Sequence, residues 1–238
     1  MSASAQPNAK PDPDLQVPMP VLVKFVRQLG HDLRNQLNAA ELQSAYLAEV
    51  VPDGELTDEI KRLRAMISQI GASLERLTSS FSSIKLAVIP YGAADLMDDL
   101  RQKLTADHSN ESAKVDWDVQ VGDATLEIDP QLLQTALIEL FANAFRHERT
   151  QENILVEAKI EQGGFRFTMR EPKKKFEHST EKWGLEPLQT VGRGHYGLGL
   201  HRARAIIEAH GGQLDARYDS SAAALITTVS LPLADPGD

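Results

Sequence analysis

The sequence predicts an α+β protein in two parts: an antiparallel helical hairpin that pairs into a dimeric four-helix bundle, followed by an α/β-sandwich domain. Three observations predict it. A heptad seam runs through the first third of the chain, alternating apolar segments fill the remainder, and Pro90 separates the two patterns. The 238 residues suffice for two domains, each with its own core. With 42% hydrophobic and 25% charged residues, the composition is that of a soluble globular chain.

Residues 1–19 read as a flexible lead-in, because Pro7, Pro11, Pro13 and Pro18 remove backbone donors and restrict the residues before them. The hairpin is expected over residues 20–89. Its first helix starts near Pro20, a residue tolerated in a first turn, and runs to about Val50, where Pro52-Asp53-Gly54 turns the chain. The second helix carries Leu56, Ile60, Leu63, Ile67, Ile70, Leu74, Leu77, Phe81, Ile84 and Val88, alternately four and three residues apart, until Pro90 stops it. The first helix repeats this rhythm through Leu22, Val26, Leu29, Leu33, Ala40 and Leu47, with Gln36 and Gln43 interrupting. Two helices bury only one another's seam. A second hairpin would cover the rest, which predicts a homodimer; a hairpin packed on its own second domain is the alternative.

The second domain is expected over 90–233, with 234–238 as a tail. Ala93–Asp107 reads as a helix, and a polar stretch then leads to strands at 115–121 and Thr125–Ile128. Asp129-Pro130 opens an apolar helix through Leu132, Leu133, Ala136, Leu137, Leu140 and Phe141. Segments 154–160 and 164–170 alternate as adjacent strands with Gly163-Gly164 as their turn. Residues 172–196 show no period and read as a long loop, of the kind that is often functional. A helix at 198–210 ends at Gly211-Gly212, and strands at 213–218 and 224–231 complete a mostly antiparallel sheet backed by helices.

Composition excludes several chemistries. The absence of Cys removes disulfides, thiolate metal sites and cysteine nucleophiles. A net charge of −9 argues against a nucleic-acid partner. No apolar run reaches membrane-spanning length, and the N-terminus lacks the order of a secretory signal, so a cytoplasmic location without a membrane partner is expected.

Three groups of residues carry candidate chemistry. If Leu29 and Leu33 take seam positions, His31 falls on the water-facing side of its helix, where an imidazole can attack a phosphoryl group. Asp32 follows directly and could orient the ring or take its proton, and Asn35 sits one turn on. Glu139, Asn143 and His147 recur every four residues on one face of an apolar helix. They suit Mg²⁺ and phosphate, or simply mark the hydrated side of that helix. Gly192-Arg193-Gly194-His195-Tyr196-Gly197-Leu198-Gly199 precedes and opens a helix, so backbone N–H groups there could meet phosphate oxygens, with Arg193 adding charge.

The run His31-Asp32-Leu33-Arg34-Asn35 resembles the phosphoacceptor box of two-component histidine kinases, in their dimerisation hairpin. That resemblance implies that His31 is phosphorylated, that Asp32 assists, and that Asn35 takes the place of a Thr or Asn; the usual next Pro is Gln36 here. The segment from Glu139 to His147 resembles the Asn box of the family's ATP-binding domain, a fold shared with gyrase-type and Hsp90-type ATPases. By that likeness Asn143 is the Mg²⁺ ligand, Glu139 handles water or a proton, and His147 contacts phosphate. Gly197-Leu198-Gly199-Leu200 resembles the second glycine box, with Arg193 and Gly194 on the same cofactor-binding loop, and 183–188 corresponds to the lid. The implied cofactors are ATP and Mg²⁺, and the implied partner is the receiver domain of a response regulator.

One motif of the family is absent. Where it has Asp-x-Gly-x-Gly, with the Asp accepting the adenine amino hydrogen, this chain has Arg170-Glu171-Pro172-Lys173-Lys174-Lys175-Phe176. Glu171 keeps a carboxylate one methylene longer, and no glycine permits close approach. At about 1.5–3 kcal/mol per charged hydrogen bond, a displaced acceptor lowers affinity up to about a hundredfold. The lysines could attract phosphates or an acidic partner, or simply solvate a loop. An ATP-independent histidine phosphotransferase and a non-catalytic interaction protein are therefore the alternatives to a kinase-like phosphorelay protein.

Overall fold

The computed structural model describes residues 19–51, 54–146, 152–176, 179–181, 183–185 and 197–234. The chain divides into two compact units, residues 1–82 and 83–238.

In the first unit α1 (Met19–Val50) and α2 (Glu55–Ser80) form a helical hairpin. The stripe shielded between them runs through Val26, Gly30, Leu37, Ser44 and Ala48 of α1, and through Ile60, Ile67, Leu74 and Leu77 of α2. Small residues let the helices approach closely. A Cβ at Gly30 would stand 2.1 Å from Cγ2 of Thr78. The expected heptad seam therefore splits in two. Phe25, Leu29, Leu33 and Leu47 on α1, with Leu56, Leu63, Met66 and Ile70 on α2, remain exposed. The reason is geometric: two helices meet along one narrow line, while a seam of alternating three- and four-residue steps is wide enough to face two neighbours.

The second helix ends at Ser80, not at Pro90 as its apolar spacing suggests. Serines at 79, 80, 82 and 83 favour local side-chain hydrogen bonds over helix, and Ile84 packs on the core of the second unit. Pro90 lies inside a strand, β1 (Ile89–Gly92), which pairs antiparallel with β3 (Thr125–Ile128). A proline is acceptable in a two-stranded ribbon, where one side of each strand needs no partner. The division between units falls at 82/83, against the expected 89/90, because 83–92 belongs with the C-terminal residues.

The second unit continues with α3 (Ala93–Asp107), the short α4 (Ser109–Ser112), β2 (Val115–Gln120), α5 (Pro130–Arg146), β4 (Ile154–Glu161), β5 (Gly164–Pro172), α6 (Gly199–Ala209), β6 (Gln213–Asp219) and β7 (Ala224–Pro232). Five strands form a sheet in the order β2-β4-β5-β7-β6, parallel between β2 and β4 and antiparallel elsewhere. The β4–β5 turn is Gln162-Gly163, not Gly163-Gly164, since Gly164 already pairs with Glu161. Both turn residues have positive φ, 52° and 73°, which matches the twist of a two-residue hairpin.

Strand β5 sets the site. Its residues alternate in burial, so Phe165, Phe167, Met169 and Glu171 point into one layer. There the aromatic and aliphatic members meet Leu96 and Leu100 of α3, Leu137, Leu140 and Phe141 of α5, and Ile206 and Ile207 of α6 in one core.

Polar groups join the start of α5 to the end of α6. Oδ1 of Asp129 accepts from the Leu132 N–H at 3.0 Å, a helix cap, and Oδ2 accepts from the Ala87 N–H at 3.0 Å. The Asp129 N–H donates to Nε2 of His210 at 3.0 Å, and Nδ1 of His210 donates to the Ile206 carbonyl at 2.8 Å. With one nitrogen accepting and the other donating, this imidazole is in a single neutral tautomer.

Candidate functional site

The hairpin presents His31 with its side chain 66% exposed. Nδ1 lies 3.2 Å from Oδ1 of Asp32 and 3.4 Å from Nδ2 of Asn35. Gln28 Nε2 donates to the same Asp32 oxygen at 2.9 Å. The three residues singled out in the sequence thus come together on one edge of the ring. A proton on Nδ1 shared with Asp32 leaves a lone pair on Nε2 of a largely exposed ring, which is the arrangement a nucleophilic imidazole needs. Helix spacing positions them: Gln28 and Asn35 flank His31 by one turn on either side.

In the second unit α5 carries Glu139 and Asn143 four residues apart, both half-buried. The glycine motif comes against the same face. A Cβ at Gly199 would stand 2.3 Å from Oε2 of Glu139, so a side chain there would displace that carboxylate. Gly197 has φ of 61°, a left-handed conformation that a side chain resists. Residues 183–185, the described part of the expected lid segment, pack against α6. Arg204 donates to the Trp183 carbonyl at 2.9 and 2.7 Å, and Nδ1 of His201 donates toward the carbonyls of Gly184 and Leu185 at 3.2 and 3.1 Å. His147, Arg193, Gly194 and the remainder of the 183–188 lid segment lie outside the described residues.

Where the adenine acceptor is expected, Glu171 is buried and paired. Its Oε1 lies 2.9 Å from the ammonium of Lys173, and the two side chains are only 2% and 7% exposed. The Lys173 ammonium also stands over the Phe176 ring at 5.8 Å, and the Tyr218 hydroxyl donates to the Lys173 carbonyl at 3.0 Å. Phe176 in turn contacts both Trp183 and Tyr218. Lys173 is thus part of the interior, against the reading of all three lysines as solvating a loop; Lys174 and Lys175 are exposed. Sequence reasoning missed this pairing, although Glu171 and Lys173 are two residues apart along an extended segment and so share a face.

The donor set fits an implied Mg²⁺-nucleotide unevenly. The oxygens of Asn143 and Glu139 suit a hard cation whose other ligands are water and phosphate. Among the described residues no group of three His, Asp or Glu side chains could hold a metal on its own. The base end fits less well, since Lys173 holds one oxygen of the buried Glu171 and no glycine adjoins it.

Residues 128–235 match the family described as histidine kinase-, DNA gyrase B-, and HSP90-like ATPase. The sensor histidine kinase ZraS of Klebsiella oxytoca is 26% identical over 211 residues, 84% of this chain and 44% of that protein. The alginate biosynthesis sensor protein KinB of Pseudomonas aeruginosa is 23% identical over 208 residues, 82% of this chain and 34% of that protein. The chain spans less than half the length of these curated relatives. Among solved structures, full-length ShkA in complex with AMPPNP superposes with a TM-score of 0.71 at 17% identity, covering 90% of this chain and 47% of that one. The Acinetobacter baumannii histidine kinase AdeS gives 0.52 at 15% identity, covering 86% and 98%. These likenesses extend the shared fold over the hairpin as well as the sandwich. Among the described residues no helix is long and apolar enough to cross a membrane.

Proposed function

From a chain whose C-terminal domain is of the histidine-kinase ATPase type and related to sensor histidine kinases, we propose a phosphorelay protein that carries a phosphoryl group on His31 and passes it to an aspartate of a response-regulator receiver domain. One observation carries this reading: an exposed imidazole whose Nδ1 is held by Asp32, leaving Nε2 open. In the transfer, Nε2 attacks phosphorus as the donor's bond to it breaks. Asp32 keeps the ring in the reactive tautomer and balances the positive charge that develops on it.

A second reading, favoured by the Glu171–Lys173 pair, takes the donor to be a phosphorylated receiver rather than ATP. With Lys173 holding one oxygen of the buried Glu171 and no glycine beside it, the base contact is weakened, and the sandwich then serves as a docking platform. Incubation with labelled Mg²⁺-ATP and, separately, with a labelled receiver domain distinguishes the two. Labelling from ATP supports a kinase. We expect labelling from the receiver alone, with calorimetry showing nucleotide binding weakened about tenfold or more by the lost base contact. No label from either donor sinks both readings.

The exposed stripe of Phe25, Leu29, Leu33, Leu63, Met66 and Ile70 supports a homodimer built as a four-helix bundle. Light scattering should give twice the 26.2 kDa of one chain, and Leu63→Glu/Ile70→Glu should return it to a single chain's mass. A wild type that scatters as one chain would exclude the bundle.

A further inference from the structure

His31 has two flanks. Asp32 lies on one, where it engages Nδ1, and Nδ2 of Asn35 stands nearby at 3.4 Å. Arg27 and Arg34 lie on the other, about 40° and 60° round the helix from His31 by a repeat of 3.6 residues per turn. That flank faces α2. Arg27 donates to the Phe81 carbonyl from Nε at 2.8 Å and from a terminal nitrogen as well. Arg34 donates to Oγ1 of Thr78 at 3.4 Å. Both acceptors are neutral oxygens, and among the described residues neither guanidinium is paired with a carboxylate. A guanidinium has five N–H donors, so each arginine is anchored by α2 and still has donors to offer.

Arg27, His31, Arg34, Thr78 and Ser82, with Glu75, line one cleft of about 310 Å³. Two guanidiniums lining one cleft with the imidazole match a tetrahedral dianion, because the planar fork forms charge-assisted hydrogen bonds to phosphate oxygens. Glu75 opposes such a charge, so an anion there depends on both arginines together.

We propose that this cleft is an oxyanion site that holds the phosphoryl group at Nε2 of His31, with Arg27 and Arg34 as its ligands. The site rests on the reading of His31 as the acceptor. Its chemistry needs no nucleotide. With phosphoramidate as donor, the nitrogen–phosphorus bond breaks, ammonia leaves, and a bond forms between phosphorus and Nε2 while the Nδ1 proton stays shared with Asp32.

The experiment measures the rate at which phosphoramidate labels His31 in the full chain, located by peptide mass and ³¹P NMR, with and without inorganic phosphate. Arg27→Gln/Arg34→Gln should label about tenfold more slowly than wild type, and phosphate should slow wild type while leaving the double variant unaffected. Because Arg27 also ties the helices through Phe81, Arg27→Lys/Arg34→Lys is the second variant. It keeps both charges and a donor for each α2 oxygen, and should recover part of the rate together with the phosphate competition. Equal rates and equal phosphate effects in wild type and the Gln double variant, with circular dichroism unchanged, would overturn the site and leave the acceptor reading standing. A wild type labelled elsewhere than His31, or not at all, would remove both.

Discussion

His31→Gln is expected to lower phosphoryl incorporation from any donor to background while leaving helicity and the melting temperature of the hairpin unchanged. The side chain is mostly in water and holds nothing together beyond its own Asp32 and Asn35 contacts, so its removal costs little stability. The other described histidines, His108, His201 and His210, are all more buried than His31. His210 has both ring nitrogens bonded inside the sandwich, His201 holds backbone carbonyls of the lid, and His108 stacks edge-on against Phe145. Asp32→Asn should leave the label on His31 but slow its arrival about a hundredfold, the ordinary scale for loss of a positioned acid or base. Peptide mapping after transfer from a phosphorylated receiver checks both. Wild-type labelling in His31→Gln would mean that another side chain is the acceptor.

The largest stability effect is expected at Asp129. Asp129→Ala removes the cap on α5, about 1 kcal/mol, and strips the Ala87 N–H of its acceptor, about 1–3 kcal/mol. A total of about 2–4 kcal/mol lowers the melting temperature of a unit this size by about 5–15 °C. Burial pushes the Asp129 carboxyl upward, but the N–H groups of Ala87, Leu132 and Gln131 outweigh it and hold the group below the ordinary carboxylate range. A carboxyl with a depressed folded value stabilises fully above its unfolded value, about 3.9, and that stabilisation is lost as pH falls through the folded value. Denaturant unfolding should therefore show wild type losing stability below about pH 4, with that component absent in Asp129→Asn. Asn keeps one cap acceptor but turns a donor toward Ala87, so it should lie between wild type and Ala at neutral pH. A neutral-pH loss under about 0.5 kcal/mol for Asp129→Ala, the scale of an ordinary surface change, would refute the joint.

Periodicity and local chemistry made the hairpin, most of the strands and the α5 cap readable in the sequence. Apolar residues every three to four positions, alternation along β5, and Asp129-Pro130 ahead of an apolar run each express short-range geometry that the chain cannot avoid. The same spacing misled where it continued by coincidence: Ile84 keeps the heptad register yet belongs to the sandwich core. The grouping of His31, Asp32 and Asn35 was likewise legible, because residues four apart on a helix share a face and Asp32 adjoins His31 in the chain.

What the amino-acid order determined alone is thus the local part: which segments are helix or strand, which face of each is apolar, and which polar side chains share a turn. Tertiary structure decided whatever depends on groups far apart in the chain. Only packing brings the Phe81 carbonyl and the Thr78 hydroxyl to the arginines beside His31, sets Gly199 against Glu139, and closes Tyr218 and Phe176 over Lys173 so that its ammonium turns inward to Glu171. The physical reason is that bonding rules bind a residue to its near neighbours, whereas burial and charge pairing are properties of the space that distant segments enclose together.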